Sequence, residues 1–169
     1  MSEIVYYNSP IGLLQIKNAA DAIAEVIFAD NPVSEKLPEN DFLQKNKMPA
    51  IINQCIGQLD KYFAGELFEF NLKLAPDGTP FQLNVWSELV KIRYGRTESY
   101  LSLSKHIGNV KAIRAVGTAN GRNRIAIIIP CHRVIGSNGD LVGYAGGLWR
   151  KQWLLAHEAK YANGVQTLF

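Results

Sequence analysis

The chain has 169 residues, 47% of them hydrophobic and 20% charged, with 18 Lys plus Arg against 15 Asp plus Glu, a balance typical of globular proteins of one domain or two small ones. No apolar run approaches the roughly 18 to 20 residues that span a bilayer, and the opening MSEIVYYNSP lacks the basic and apolar segments of a secretory signal, so no membrane partner and an intracellular location are expected. Two cysteines, Cys55 and Cys131, and three scattered histidines offer neither a disulfide framework nor zinc-ligand spacing, and no metal site is expected.

In chain order, Ile4-Val5-Tyr6-Tyr7 and Ile11 to Ile16 flank an Asn8-Ser9-Pro10 turn, and Ala22 to Phe28 is a third β-prone run, which together predict a small antiparallel sheet. Residues 30–48 are rich in Asp, Asn, Glu, Lys and Pro without apolar periodicity, as in an exposed loop. From Pro49 to Ala64 the positions Ile51, Ile52, Cys55, Ile56, Leu59, Tyr62 and Phe63 share one helical face, with Pro49 suited to the first turn and Gly65 to the stop. Cys55 lies inside that stripe and is expected to be an inert core residue. Leu67 to Leu74 alternates and predicts a further strand.

The segment Pro76-Asp77-Gly78-Thr79-Pro80 is turn-forming and marks a boundary between residues 1–76 and 77–169. The first part holds 6 basic and 10 acidic residues, net −4, and the second 12 and 5, net +7. Phosphate neutralisation drives most non-specific nucleic-acid affinity, so the second part is the candidate for a polyanion partner. Thr79-Pro80-Phe81-Gln82 reads as a capping box, opening a helix in which Phe81, Val85, Leu89 and Ile92 share a face and which Gly95 ends. Ser99 caps a second helix with Leu103 and Ile107 inward, closed by Gly108, and residues 110–119 form a third with Ala112, Ala115, Val116 and Ala119 toward the core. Two short helices about a Gly108-Asn109 turn have the form of a helix-turn-helix. Lys111, Arg114 and Thr118 fall on one face of the third helix, where DNA would dock; an αα-hairpin with a solvated basic face fits the same pattern.

Ile125 to Ile129 is a continuous apolar run consistent with a buried strand, ended by Pro130 and followed at once by Cys131-His132-Arg133-Val134. A catalytic thiol has to become a thiolate, which requires a base or a positive field, and His132 and Arg133 are adjacent. A base that is itself oriented by a carboxylate completes the relay. Glu158, on the apolar face of the helix over Leu148 to Glu158, is the candidate carboxylate, and a salt bridge to a nearby Arg is the plainer reading of the same residue. Asn138-Gly139 marks a tight turn, and Gly143-Tyr144-Ala145-Gly146-Gly147 is a small-residue loop suited to close approach to a flat ligand.

Taken together, Gly78-Thr79-Pro80-Phe81-Gln82, Val85-Trp86, Thr97-Glu98-Ser99-Tyr100, Arg114-Ala115-Val116-Gly117, Asn123, Ile129-Pro130-Cys131-His132-Arg133-Val134, Tyr144-Ala145-Gly146-Gly147 and Lys151 through Leu154-Leu155 to Glu158 resemble the O6-alkylguanine-DNA alkyltransferase family, over about half the chain in order. The resemblance implies an α+β fold. A small N-terminal ribonuclease-H-like antiparallel sheet with a helix precedes a mainly helical C-terminal part with a winged helix-turn-helix, which binds DNA and carries the alkyl acceptor. It also implies double-stranded DNA containing O6-alkylguanine as the partner, a monomer, no cofactor, and a cytoplasmic or nucleoid location in a bacterium or a nuclear one in a eukaryote.

By the same resemblance Cys131 is the alkyl acceptor, His132 its base through a water, Glu158 the group that orients His132, and Asn123 the hinge residue that buttresses the turn. Tyr100 would donate toward guanine N3, the carbonyls of Cys131 and Val134 would accept from the exocyclic amine, Ala145 would offer its N–H to O6, and Tyr144 would wall the alkyl group. Arg114 would fill the vacated place in the base stack, with Lys111, Ala115, Thr118 and Arg122 on the DNA face. The alkyl group would be transferred once per molecule, from guanine O6 and, as a further candidate substrate, O4-alkylthymine. Arg124 and Leu101 depart from the family's usual Pro and Gly, and neither removes a reacting atom. Two other readings share these residues: a turnover hydrolase using Cys131, His132 and Glu158, and a helix-turn-helix regulator whose cysteine senses alkylation or oxidation.

Overall fold

The computed structural model describes residues 2–30 and 47–162. The chain divides into two compact units, Met1–Pro76 and Asp77–Phe169. The expected loop at 30–48 lies outside the described residues over 31–46.

In the first unit, β1 (Ile4–Ser9), β2 (Gly12–Ala19) and β3 (Ala22–Phe28) form an antiparallel sheet in that order. Ile4 opposes Lys17 and Leu14 opposes Phe28. The first turn sits one residue later than expected, at Pro10 and Ile11, with Asn8 and Ser9 paired in β1 and Ile11 buried in the turn. Leu14, Ile16 and Asn18 lie on the buried face of β2. Asn18 is satisfied there: its Oδ1 accepts from Glu3 N–H at 2.7 Å and its Nδ2 donates to the Ala20 carbonyl at 2.9 Å, as a buried amide must be.

α1 (Ala50–Phe63) packs across β2 and β3 through Ile52, Cys55, Leu59 and Tyr62. Pro49 is its N-cap, and Gly65, at φ +77, follows its end. The strand expected over 67–74 does not form: the chain bends at Phe68 and Glu69 and joins β3 through one parallel bridge, Ile23 to Leu74. Phe68 is exposed and none of the eight residues is buried. Alternation alone does not make a strand here, because without an apolar face to bury there is nothing to extend the ladder.

In the second unit, α2 (Pro80–Leu89) opens with the expected capping box: Thr79 Oγ1 accepts from Gln82 N–H at 3.1 Å and Gln82 Oε1 from Thr79 N–H at 3.0 Å. The helix ends at Leu89, before Ile92 and Gly95, and Phe81 is exposed while Trp86 takes the core position. Trp86 Nε1–H donates to the Ala119 carbonyl at 2.8 Å, and a Cβ on Gly78 would come within 2.6 Å of its ring, so glycine is required there. α3 (Tyr100–Ile107) starts from a Ser99 cap and ends on Gly108 at φ +92, and α4 (Ile113–Gly121) follows one 3-10 turn over Val110–Ala112. α2, α3 and α4 pack on one another. Leu103, Val116 and Ala119 are buried, Ile107 is half-buried, and Ala115, expected in the core, is exposed. Val116, Ala119 and Asn120 instead set the inward stripe of α4, a small rotation that the many Ala positions left open.

β5 (Val134–Ile135) pairs in parallel with β4 (Glu98–Ser99), Glu98 opposite Val134. α5 (Leu148–Ala162) is the last described element.

Candidate active site

The apolar run before Cys131 is buried, as expected, but it is not a strand. Ile127 sits at φ +72, and the Ala126 carbonyl accepts from Ile128 N–H at 2.8 Å, a three-residue turn. Pro130, at φ −83 and ψ 62, makes a second one, with Cys131 N–H donating to the Ile129 carbonyl at 2.8 Å. A run of four isoleucines and one alanine buries equally well in a strand or in a coiled turn, so pattern alone cannot separate them. A β-branched residue in the left-handed region is strained, and such strain persists only where neighbours hold it.

Asn123 does the holding. Its Oδ1 accepts from Ile125 N–H at 3.0 Å, and its Nδ2 donates to the carbonyls of Ile125 at 3.2 Å and Ile129 at 2.7 Å. It follows the Arg122 cap of α4 directly. Cys131–Arg133 then form one 3-10 turn that runs into β5, and the β4–β5 pairing brings Tyr100, first residue of α3, to the same region.

His132, Arg133 and Glu158 form a buried network. His132 Nε2 lies 2.7 Å from Glu158 Oε2, Arg133 Nε donates to Oε1 at 2.7 Å and Nη2 to Oε2 at 3.1 Å, while Nη1 donates to the Ile92 carbonyl at 2.6 Å. Glu158 thus contacts both His132 and an Arg, the arrangement that each of the two sequence readings requires. Burial pushes the Glu158 carboxyl up, but His132 and Arg133 outweigh it and hold it well below the usual carboxylate range. For His132, burial outweighs the attraction of Glu158 and lowers the imidazole. One carboxylate already matched by one guanidinium leaves no compensation for a second buried cation, so the resting imidazole is neutral. Its Nε2–H then faces Glu158, and Nδ1 has no hydrogen-bond partner among the described residues. A neutral imidazole with one oriented N–H and one open lone pair can accept a proton at that nitrogen.

Cys131 is 5% exposed and burial pushes its thiol up, against opposing help from Asn123 and Lys151. Tyr100 donates its hydroxyl to the Val142 carbonyl at 3.0 Å. Val134 is buried, the Tyr144 hydroxyl is buried, and Ala145 is exposed. Two neighbours of the thiol have no role assigned from the sequence, Lys151 appearing there only as part of the family motif and Asn120 not at all. Lys151 is fully buried, 5.8 Å from the centre of the Tyr100 ring, and Asn120 donates Nδ2 to the Cys131 carbonyl at 3.4 Å.

On α4 and its flanks Lys111, Arg114, Ala115, Thr118 and Arg122 are all exposed, so the five expected DNA-facing residues lie on the surface together. Thr118 spends its hydroxyl on the Arg114 carbonyl at 3.1 Å. Among the described residues no cluster of three or more His, Cys, Asp or Glu could hold a metal ion, and no helix is long and apolar enough to cross a membrane.

Residues 4–76 match the 6-O-methylguanine DNA methyltransferase ribonuclease-like domain, and residues 80–160 match the DNA binding domain of the same family. A methylated-DNA–protein-cysteine methyltransferase of Methanosarcina acetivorans is 45% identical over 90% of this chain and 95% of its own length. One from Mycolicibacterium paratuberculosis is 43% identical over 100% of this chain and 99% of its own. Among solved structures, the Mycobacterium tuberculosis OGT in complex with DNA superposes with a TM-score of 0.80 at 41% identity, covering 97% of each chain.

Proposed function

We propose that this chain, which belongs to the methylated-DNA–protein-cysteine methyltransferase family, reverses alkylation damage directly by moving the alkyl carbon from guanine O6 in duplex DNA onto Cys131. The carrying observation is the buried Cys131-His132-Glu158 sequence of groups, in which a neutral His132 keeps Nδ1 open while Glu158, itself locked by Arg133, fixes Nε2.

The damaged base has to leave the helix, because O6 lies inside the duplex, beyond the reach of a thiol on a protein core. Arg114 on the exposed face of α4 enters the vacated stack, and Lys111, Ala115, Thr118 and Arg122 line the DNA around it. In the pocket the Cys131 proton passes through one water to His132 Nδ1, and the thiolate sulfur attacks the alkyl carbon. The carbon–oxygen bond breaks, its electron pair goes to O6, and Tyr100 supplies hydrogen-bond donation at guanine N3 after giving up Val142. The carbonyls of Cys131 and Val134 read the exocyclic amine, the Ala145 N–H meets O6, and Tyr144 bounds the alkyl group. A thioether is a poor leaving group, so each molecule reacts once, as a monomer, in the compartment that holds the DNA: the cytoplasm in a bacterium or archaeon.

The test is incubation with a duplex carrying O6-methylguanine, followed by intact mass and peptide mapping. One methyl group per protein, on the Cys131 peptide, is expected. Many turnovers with no retained adduct would establish the hydrolase instead, and no reaction with tight binding to one undamaged sequence would establish the regulator.

A further inference from the structure

Residues 143–147 are Gly, Tyr, Ala, Gly and Gly, so the conformation of this loop has to be imposed from outside it. α5 does so with two consecutive cations in its first turn. Arg150, 5% exposed, donates Nη1 to the Gly146 carbonyl at 3.0 Å, and Lys151 donates Nζ to the carbonyls of Val142 at 3.1 Å and Gly143 at 3.2 Å. This placement runs against helix electrostatics, because the N-terminal end carries positive partial charge and favours acids, and the first turn of α5 has none. Buried cations at that end are accounted for by the loop carbonyls they bind.

Trp149 adds a cover. The Arg150 guanidinium lies 4.7 Å from the centre of its ring, within cation–π range. The same ring lies against Gly147, where a Cβ would meet Cδ1 at 3.3 Å and Nε1 at 3.5 Å. Trp149 is nevertheless 56% exposed, so it is held by the guanidinium and the loop rather than by the core. The guanidinium that makes the Arg150–Gly146 bond is buried, and in a low-dielectric setting such a bond is stronger than in water.

We propose that Trp149 and Arg150 form a clasp on residues 144–147 and that this clasp sets the largest alkyl group Cys131 can accept. The inference rests on the reading that Tyr144 bounds the alkyl group. A methyl group fits without moving the loop. In this reading a benzyl ring presses on Tyr144, and while Lys151 holds the start of the loop at Val142 and Gly143, its far end yields by lengthening the Arg150–Gly146 bond or sliding past Trp149. Neither residue touches the reacting atoms; both are positioning residues.

Single-turnover rates on duplexes bearing O6-methylguanine and O6-benzylguanine test this in the wild-type chain, Trp149→Ala, Arg150→Met and Arg150→Lys. Both Trp149→Ala and Arg150→Met are expected to raise the benzyl-to-methyl rate ratio about fivefold, the factor for one lost contact of about 1 kcal/mol, and Arg150→Lys to bring it part of the way back. Trp149→Ala carries the test if Arg150→Met fails to fold, since its side chain is largely exposed. An unchanged ratio in Trp149→Ala, or equal losses on both substrates, overturns the clasp. A wild-type chain that acquires neither alkyl group overturns the transfer reading itself, a result distinct from an unaltered ratio in a protein that methylates normally.

Discussion

The two units of this chain treat buried polarity in opposite ways. In the first, the buried polar residues among those described are Ser9 and Asn18, both serving turns beside the sheet. In the second, Ser104, Asn120, His132, Arg133, Arg150, Lys151, His157 and Glu158 are buried, five of them titratable groups within the thiol's turn, its loop or its carboxylate network. Burying charge costs free energy unless each group is paired and hydrogen-bonded, so its concentration around Cys131 singles out the second unit as the one holding the candidate site. The first unit is a sheet-and-helix core with net charge −4, and the second holds a network that its own hydrophobic residues do not need.

The sharpest way to break the comparison is to exchange the two cysteines' environments by mutation of each. Cys131→Ser is expected to abolish transfer, by about three orders of magnitude or more, because a hydroxyl is a far weaker nucleophile near neutral pH. Binding to the same duplex should persist, since Arg114 on α4 and the flanking Lys111 and Arg122 are untouched. Gel-shift and mass measurements on one sample decide it, and stoichiometric methylation of the serine variant would contradict the assignment of Cys131.

Next in size is the loss of the carboxylate. Glu158→Gln leaves Arg133 buried without its counter-charge, and breaking a buried pair costs about 3–5 kcal/mol, read as a lowered denaturant midpoint with transfer strongly slowed. The pH dependence follows with the same sign for both partners. Glu158 is held below its ordinary value near 4.5, so its contribution is present above that pH and is lost as the pH falls through the folded value. His132 is lowered from 6.5, so the unfolded chain takes up its proton first and stability declines as the pH drops below about 6.5. The wild type should therefore lose stability on the acid side in two stages, and Glu158→Gln should lack the lower one. A wild-type stability that rises between pH 7 and 4 would contradict both assignments.

Much of this difference between the units was legible before the fold was known, and the gaps have physical reasons. The capping box at Thr79 was readable because hydrogen-bond chemistry there is local, four residues long. The strands from Ile4 to Phe28 were readable because alternation and turn residues agree. Ile125 to Ile129 was not, because an all-apolar run satisfies any buried backbone, and the decisive contacts come from the Asn123 side chain two residues upstream of it. The pattern points Ala115 inward although it is exposed, because alanine carries too little side chain to mark a face. The buried network was partly legible: adjacency named Cys131, His132 and Arg133, and the apolar-face position of Glu158 called for an Arg partner, while Lys151 binding loop carbonyls is a charged residue inside the protein, where composition gives no warning.

A smaller effect separates the DNA face from the pocket. Unstacking and unpairing a base costs a few kcal/mol, and each roughly 1.4 kcal/mol not offset by the protein lowers the extruded population about tenfold. Arg114→Ala is therefore expected to slow repair of duplex DNA by about tenfold or more while altering reaction with free O6-benzylguanine, which needs no extrusion, much less. Lys111→Ala should weaken duplex binding uniformly across sequences and reduce the salt slope by about one phosphate. Equal losses for Arg114→Ala on duplex and free base would assign it to the fold and end its role in extrusion.

The smallest effect on transfer belongs to the other cysteine, and it is the control that gives the comparison its meaning. Cys55 is fully buried in α1 against β2 and β3, and burial pushes its thiol up to about 12, so at neutral pH it is a protonated, apolar filler. Serine there keeps nearly the same volume but buries a stronger hydrogen-bonding group, at a cost of about 1–3 kcal/mol. Cys55→Ser should thus lower the denaturant midpoint of the first unit and leave the single-turnover rate on O6-methylguanine duplex unchanged when measured well below that midpoint. If a stably folded Cys55→Ser lost transfer, the separation of a supporting unit from a reacting one would fail, because a residue in the sheet-and-helix core would then be governing the chemistry at Cys131.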